Sequence, residues 1–204
     1  MTITKIVLAS GNAKKLKELR SCLGQFHVDV LPQSEFNIPE AIEDGLSFIE
    51  NAIIKARHAC ALTGLPALAD DSGLEVDTLD GQPGIFSARY ADGQGDAANN
   101  AKLLLNLDGV EAERRSARFR CVLAFMRHAA DPTPMICTGT WEGHIANELS
   151  GDNGFGYDPL FIPRGFEISA AQLSAEQKNQ VSHRGQAMQL LKLWWQQQIN
   201  LSHT

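Results

Sequence analysis

Long hydrophobic runs are what this sequence has least of. The longest, Cys121 to Met126, is bounded by Arg120 and Arg127 and is too short to span a bilayer. The first apolar run, Ile6 to Ala9, gives way to Ser10 and Gly11 and is too short for a signal-peptide core. The expectation is a cytoplasmic protein with no membrane partner. Cysteine is sparse as well: Cys22, Cys60, Cys121 and Cys137 show no CxxC pairing, and each sits in an apolar pattern. Buried thiols in a reducing compartment fit them better than disulfides or zinc. An excess of positive charge is also missing. The formal net charge of −6 argues against nucleic acid as the main partner, so a polyanionic ligand would need a local basic cluster. The one dense basic run, Arg114, Arg115, Arg118 and Arg120, reads as a charged strand entry facing water. No repeat, low-complexity tract or linker interrupts the 204 residues. Residues 1–204 are expected to form a single domain, with two lobes sharing one folding unit.

What the sequence does have begins with Leu68-Ala69-Asp70-Asp71-Ser72-Gly73. An apolar run from Leu65 to Ala69 delivers two adjacent carboxylates into what reads as a turn at Ser72 and Gly73, before Leu74-Glu75-Val76 resumes an extended pattern. Acidic residues at the end of a buried strand are where α/β proteins place metal ions and activated water. By itself the stretch is read equally well as a solvated turn, because Asp, Ser and Gly all favour turns.

The chain around it supplies context. Residues 3–9 read as a buried strand. After Ser10-Gly11-Asn12-Ala13-Lys14-Lys15 comes a helix with Leu16, Leu19 and Leu23 on one stripe, capped by Asn12 and stopped by Gly24. A strand, a small polar turn and a helix N-terminus form an anion cradle. Lysines in the first turn oppose the helix dipole, a local cost that an anionic ligand would relieve. The same residues also fit an ordinary capped helix with surface lysines, and the Walker A spacing is absent. A short strand over residues 27–31 and an acidic loop from Pro39 to Gly45 come next. A second helix then starts at Ser47, with Glu50 at capping-box spacing. Its expected buried stripe is Ile49, Ala52, Ile53, Ala56 and Cys60, and Gly64 and Pro66 end it. Lys55 falls between the stripe and the polar face.

Gly81-Gln82-Pro83-Gly84 is a loop, and residues 97–107 are expected to be helical. Two strands follow, the second over about residues 135–141, as a hairpin within a mixed sheet. In Gly151-Asp152-Asn153-Gly154-Phe155-Gly156-Tyr157-Asp158-Pro159, glycines interleave with aromatics. Such a loop lets backbone approach a flat ligand and offers a ring to stack on it, although an aromatic-pinned turn is the plainer reading. Ser174 and Gln177 box the start of a short helix carrying Lys178. Ser182-His183-Arg184-Gly185 opens the last helix, with Met188, Leu191, Trp194 and Trp195 turned inward.

Taken together, Ser10 to Lys15, the Phe48-Ile49-Glu50-Asn51-Ala52-x-x-Lys55-Ala56 helix, Ala69 to Gly73, Gly154 to Pro159 and Ser182-His183-Arg184 occur in one order. In this the chain resembles the inosine triphosphate pyrophosphatase family, over nearly its full length. The resemblance implies an α/β fold with a mixed central β-sheet flanked by helices, elongated and two-lobed with a cleft between lobes, assembled as a homodimer. It implies Mg²⁺-dependent hydrolysis of non-canonical purine nucleoside triphosphates (ITP, dITP, XTP) to the monophosphate and pyrophosphate. Matched by position, Ser10, Gly11, Asn12, Ala13, Lys14 and Lys15 would hold the triphosphate. Asp71 would be metal ligand and general base, and Ser72 a substrate contact. Phe155 would stack on the purine while Gly156, Tyr157 and Asp158 shape its pocket, and Lys178, His183 and Arg184 would contact the base or nucleotide edge. The acidic loop departs from the family, with Ile42 where many relatives carry a glutamate. Glu40 is then the expected second metal contact, with Glu43 the alternative. The same resemblance assigns the chemistry to Asp71 and a supporting role to Asp70.

The chemistry is coherent. A triphosphate carries about four negative charges near neutral pH, so Mg²⁺, Lys14, Lys15 and Lys55 have charge to neutralise. An Asp beside cations is expected to have a low pKa, which suits holding and orienting more than proton abstraction. Asp71-Ser72-Gly73 also resembles an aspartic-protease signature, but that chemistry needs two copies in an all-β frame. A dehalogenase-type phosphatase needs Asp-x-Asp. A nucleotide sensor that binds without cleaving would not need a positioned base.

Overall fold

The computed structural model describes residues 3–201. Six strands form one sheet in the order β2-β1-β3-β4-β5-β6: β1 Lys5–Leu8, β2 Asp29–Pro32, β3 Ala67–Val76, β4 Ser116–Met126, β5 Met135–Ile145 and β6 Phe161–Pro163. β1 pairs in parallel with β2 and with β3, and β5 pairs antiparallel with β6, so the sheet is mixed. The helices are α1 Ala13–Leu23, α2 Phe48–Thr63, α3 Asp96–Asn106, α4 Ala175–Val181 and α5 His183–Leu201. Among the described residues no helix is long and apolar enough to cross a membrane.

Local chemistry explains the helix ends. The Asn12 carboxamide accepts from the Lys14 and Lys15 amides at 2.9 and 3.3 Å, capping α1. Ser47 Oγ accepts from the Glu50 amide, as its spacing predicts. The reciprocal half of that capping box is displaced: the Glu50 carboxylate takes the Leu46 amide and the Ser47 hydroxyl instead. Gly64, at φ 69°, closes α2 by donating to Cys60 O. Ser174 and Gln177 form the complete box at α4.

The contacts divide the chain into two compact units. The first holds residues 1–71, 122–138 and 187–204, and the second residues 72–121 and 139–186. In the first, Val7, Ala67, Ala69, Val122, Ala124 and Met126 pack with Ala52, Ala56, Ala59 and Cys60 of α2. On the alternate side chains of β4, Phe125 meets Trp194 and Trp195 of α5 at centroid distances of 5.5 and 5.2 Å. Alternation along a strand therefore puts α2 on one sheet face and α5 on the other. In the second unit, Leu74, Val76, Ala117, Phe119, Trp141, Ile145, Leu160 and Phe161 form the core, with Leu103 of α3 and Leu107, which caps its C-terminus. The opposite face carries an ion-pair ladder: Arg118 to Asp77 and Glu142, and Arg120 to Glu75.

Several expectations need correcting. Asp70-Asp71-Ser72-Gly73 is not a turn; all four residues lie inside the ten-residue strand β3. Residue preference for turns loses here to the strand, which lies between β1 and β4 in the sheet and runs on to Val76 beyond its parallel pairing with β1 at Ala67 and Leu68. Ile49 is largely exposed, and Asn51 takes the buried place in α2. Arg115 does not face water: its guanidinium is buried and donates to the carbonyls of Val110, Leu107 and Ala146. The four cysteines remain thiols, as expected.

Candidate active site

Asp70 and Asp71 are only 5 % and 8 % exposed, so each ionised carboxylate requires a partner. Neighbours in a strand point to opposite faces, and their partners come from different helices. Lys15 of α1 pairs with Asp70 at 2.6 Å, and Lys55 of α2 pairs with Asp71 Oδ1 at 2.7 Å. The pleat thus separates two adjacent, chemically identical residues into different surroundings. Asp71 Oδ2 is buried and accepts no hydrogen bond among the described residues. Burial pushes the Asp71 carboxyl above its usual range, and the nearby negative charges of Glu43 and Asp70 add to that rise; Lys55 pulls it back only in part. The low pKa expected from a neighbouring cation is therefore not what the fold produces, because desolvation outweighs the ion pair. Burial also works against the Lys55 ammonium, but the carboxylates of Asp71, Asp70 and Glu43 overcome it and hold its pKa above normal.

The acidic loop, residues 39–46, is tied down near both ends. His58 Nε2 donates to Pro39 O at 2.9 Å, and the Gly45 amide donates to Asn51 Oδ1 at 2.9 Å. The loop brings Glu43 to 3.4 Å from Lys55 Nζ, whereas Glu40 is exposed. Lys55 is thereby shared by Glu43 and Asp71. Among the described residues no group of three or more His, Cys, Asp or Glu side chains is placed to hold a metal by itself. The oxygen-only set of Asp71 and Glu43, with a buried carboxylate oxygen that accepts no hydrogen bond among the described residues, nonetheless fits a hard cation that takes its remaining ligands from phosphate and water.

At the start of α1, Ser10 Oγ accepts from the Asn12 amide at 3.2 Å, and Gly11 and Ala13 are exposed. Lys14 is exposed, while Lys15 is committed to Asp70.

The second unit carries a different constellation. Gly154 and Gly156 adopt left-handed φ of 81° and 62°, and between them Phe155 stays 42 % exposed. A Cβ at Gly154 would fall on the Asp158 carboxylate, which explains the glycine. Asp158 is buried, accepts from the Phe155 amide at 2.9 Å and forms an ion pair with Lys178. Lys178 Nζ and the Arg184 guanidinium lie 5.3 and 5.7 Å from the Phe155 ring centroid, so two cations border one aromatic ring. His183 is 7 % exposed and lies flat against Phe119, centroids 4.8 Å apart. Tyr157 is an anchor in the core, its hydroxyl donating to Ser87 O at 2.8 Å. Ser72, on β3, is half-buried.

Of the residues singled out from the sequence, Lys15, Asp70 and Asp71 assemble in the first unit; Phe155, Asp158, Lys178 and Arg184 assemble in the second. Lys55 and Glu43 join the first group although neither was a leading candidate. The signal for Lys55 was its place at the edge of the buried stripe of α2, where a long side chain reaches the neighbouring strand. Glu43 entered as the alternative to Glu40 in the acidic loop, and loop geometry decides which of the two lies near Lys55.

A model of the Ham1 family matches residues 6–194. The chain is 58 % identical over 188 residues to the dITP/XTP pyrophosphatase of Thioalkalivibrio sulfidiphilus, covering 92 % of this chain and 96 % of that one. It is 59 % identical over 192 residues to the dITP/XTP pyrophosphatase of Pseudomonas syringae pv. tomato, covering 94 % and 97 %. The structure matches that of a HAM1 protein from Coxiella burnetii with a TM-score of 0.92 at 48 % identity, covering 96 % and 100 %. With a family model spanning nearly the whole chain, relatives above half identity and the same fold, the chain belongs to the Ham1 family.

Proposed function

We propose that this protein hydrolyses non-canonical purine nucleoside triphosphates, dITP and XTP first among them, to the nucleoside monophosphate and pyrophosphate. The observation that carries the reading is Asp71: a buried strand carboxylate with one oxygen on Lys55 and the other accepting no hydrogen bond among the described residues. It stands in a chain 58 % identical to a dITP/XTP pyrophosphatase. In this reading Ser10 to Lys15 and Lys55 meet the triphosphate. Asp71 Oδ2 orients the attacking water and accepts its proton as the water attacks the α-phosphorus and pyrophosphate leaves.

Asp71 and Glu43 are the residues that would hold Mg²⁺; Glu43 is preferred to Glu40 because it shares Lys55 with Asp71. When bound, the ion supplies Lewis-acid stabilisation of the phosphoryl oxygens and a more acidic water. Phe155 stacks on the purine, with Lys178 and Arg184 donating to its 6-oxo oxygen; a 6-amino group would leave those donors unpaired at a cost of about 1–3 kcal/mol each. His183, Gly156, Tyr157 and Asp158 shape this end, and Ser72 is a substrate contact. What joins the phosphate residues to the base residues on one nucleotide is the order of the family motifs along the chain. A single 1–204 domain, a homodimer and a cytoplasmic location belong to the same proposal and rest on the family resemblance.

The test is incubation with ITP, dITP, XTP, GTP and ATP plus Mg²⁺, with product identification. Inosine or xanthosine monophosphate with pyrophosphate is expected. Release of orthophosphate and a diphosphate would overturn the reading, and binding without turnover would favour a sensor.

A further inference from the structure

Asp96 and Asn100 of α3 have no part in the site as assigned so far. They lie at i and i+4 on one helix face and both reach the same residue of the aromatic loop. Asp96 Oδ2 accepts from the Gly156 amide at 2.7 Å, and Asn100 Nδ2 donates to Gly156 O at 2.8 Å. Asn100 is held in turn by donating to Asp96 O at 2.8 Å. Both polar groups of the Gly156 backbone are therefore occupied by side chains from one helix. Gly156 is the left-handed residue immediately after Phe155, so its conformation sets the direction in which the Phe155 ring leaves the loop. The Phe155 amide is taken by Asp158. Successive N–H groups at 155 and 156 thus end on carboxylates, one from the loop itself and one from α3, while the ring, with Lys178 and Arg184 near it, stays substantially exposed. An exposed ring on a fully tied backbone is a presented surface. Asp96 is itself exposed, whereas the core side chains Leu103, of α3, and Leu107, at its C-cap, lie two or more turns away.

We propose that Asp96 and Asn100 are positioning residues for nucleobase selection, clamping the Gly156 peptide so that Phe155 meets the purine in one orientation. This rests on the reading above that Phe155 stacks on the base. Base discrimination depends on donors meeting the 6-oxo group at hydrogen-bond distance, and that distance is set by where the stacked ring holds the purine. Loosening the clamp should weaken recognition of the matched base more than that of a base already mismatched.

The experiment compares wild type with Asp96→Ala, Asp96→Asn and Asn100→Ala in the full chain, using steady-state kinetics on ITP and ATP with Mg²⁺ and thermal denaturation. Asp96→Ala is expected to lower kcat/KM for ITP about tenfold, chiefly through KM, the scale of one misplaced polar contact. Hydrolysis of ATP should change less than about twofold, and Tm by less than about 2 °C, as for an exposed side chain. Asp96→Asn keeps a side-chain oxygen for the Gly156 amide and should recover most of the loss. An unchanged ITP-to-ATP preference in Asp96→Ala, an equal loss for both nucleotides, or a fall in kcat at constant KM would each overturn the proposal. Asn100 is buried, so if Asn100→Ala does not fold, the Asp96 pair decides. If wild type makes no pyrophosphate from ITP, the proposed function fails. If it does and Asp96→Ala keeps the preference, only the clamp fails.

Discussion

The two constellations, one in each unit, solve opposite problems. Around Asp71 the fold buries charge: carboxylates and lysines sit between the sheet and its helices, and burial rather than ion pairing controls the Asp71 pKa. Around Phe155 the fold exposes a ring, and its charges work by fixing the loop that carries it. Asp158 ties the Phe155 amide and Lys178, and Asp96 ties the next amide. Buried charge suits a chemical step, where a desolvated carboxylate and a poised lysine alter reactivity. A backbone-clamped aromatic suits recognition, where position decides which donors are satisfied. Lysine marks the contrast most clearly: Lys55 is shared by two carboxylates, Asp71 and Glu43, and Lys178 answers to the loop through Asp158.

The sharpest way to break this contrast is Asp71→Asn. It is expected to lower kcat for ITP and XTP by about two to four orders of magnitude with KM little changed, as for loss of a catalytic base. A variant near wild type would remove Asp71 from the chemistry. Next, Lys55→Met should cut kcat by about 10²-fold for every nucleotide alike, because it leaves buried carboxylates uncompensated without touching base recognition. Lys178→Met should instead alter the ITP-to-ATP ratio. If both lysine variants changed the ratio, the division of labour would be wrong. Arg184→Ala is smaller: about a tenfold loss in preference for ITP over ATP, read from kcat/KM of each, with little change in Tm.

Asp131→Asn is the control that should leave both constellations alone. Asp131 accepts from Arg127 Nε and Nη2 and from the Arg127 and Thr133 amides, which hold its carboxyl far below its usual range. A depressed folded pKa means stability that is present above the unfolded value of about 3.9 and is lost as pH falls toward the folded one. Wild type should therefore exceed Asp131→Asn in urea midpoint at pH 7. The gap should narrow progressively below about pH 4, with kinetics for ITP unchanged at pH 7.

The misreadings follow a pattern. Helix ends were legible because capping is local: Asn12, Gly64 and the Ser174–Gln177 box each act within a few residues of their own position. The Asp70-to-Gly73 stretch has the composition of a turn, yet the same residue types serve in a strand when the sheet continues through them, and the strands on either side of β3 are remote in sequence. Arg115 looked like surface charge because the carbonyls that satisfy it come from separate segments. Asp96 and Asn100 carry no motif that singles them out. Their importance lies in what they touch.

By itself, then, the sequence determined the family, the alternation of strands and helices, and the local caps. All of these are written in periodicity, caps and residue identity over a few positions. Tertiary structure alone decided how two adjacent aspartates differ. The pleat turns Asp70 toward Lys15 and Asp71 toward Lys55, and burial then raises the Asp71 pKa where a neighbouring cation alone would lower it. Desolvation depends on everything packed around a group, and no stretch of sequence next to Asp71 contains that.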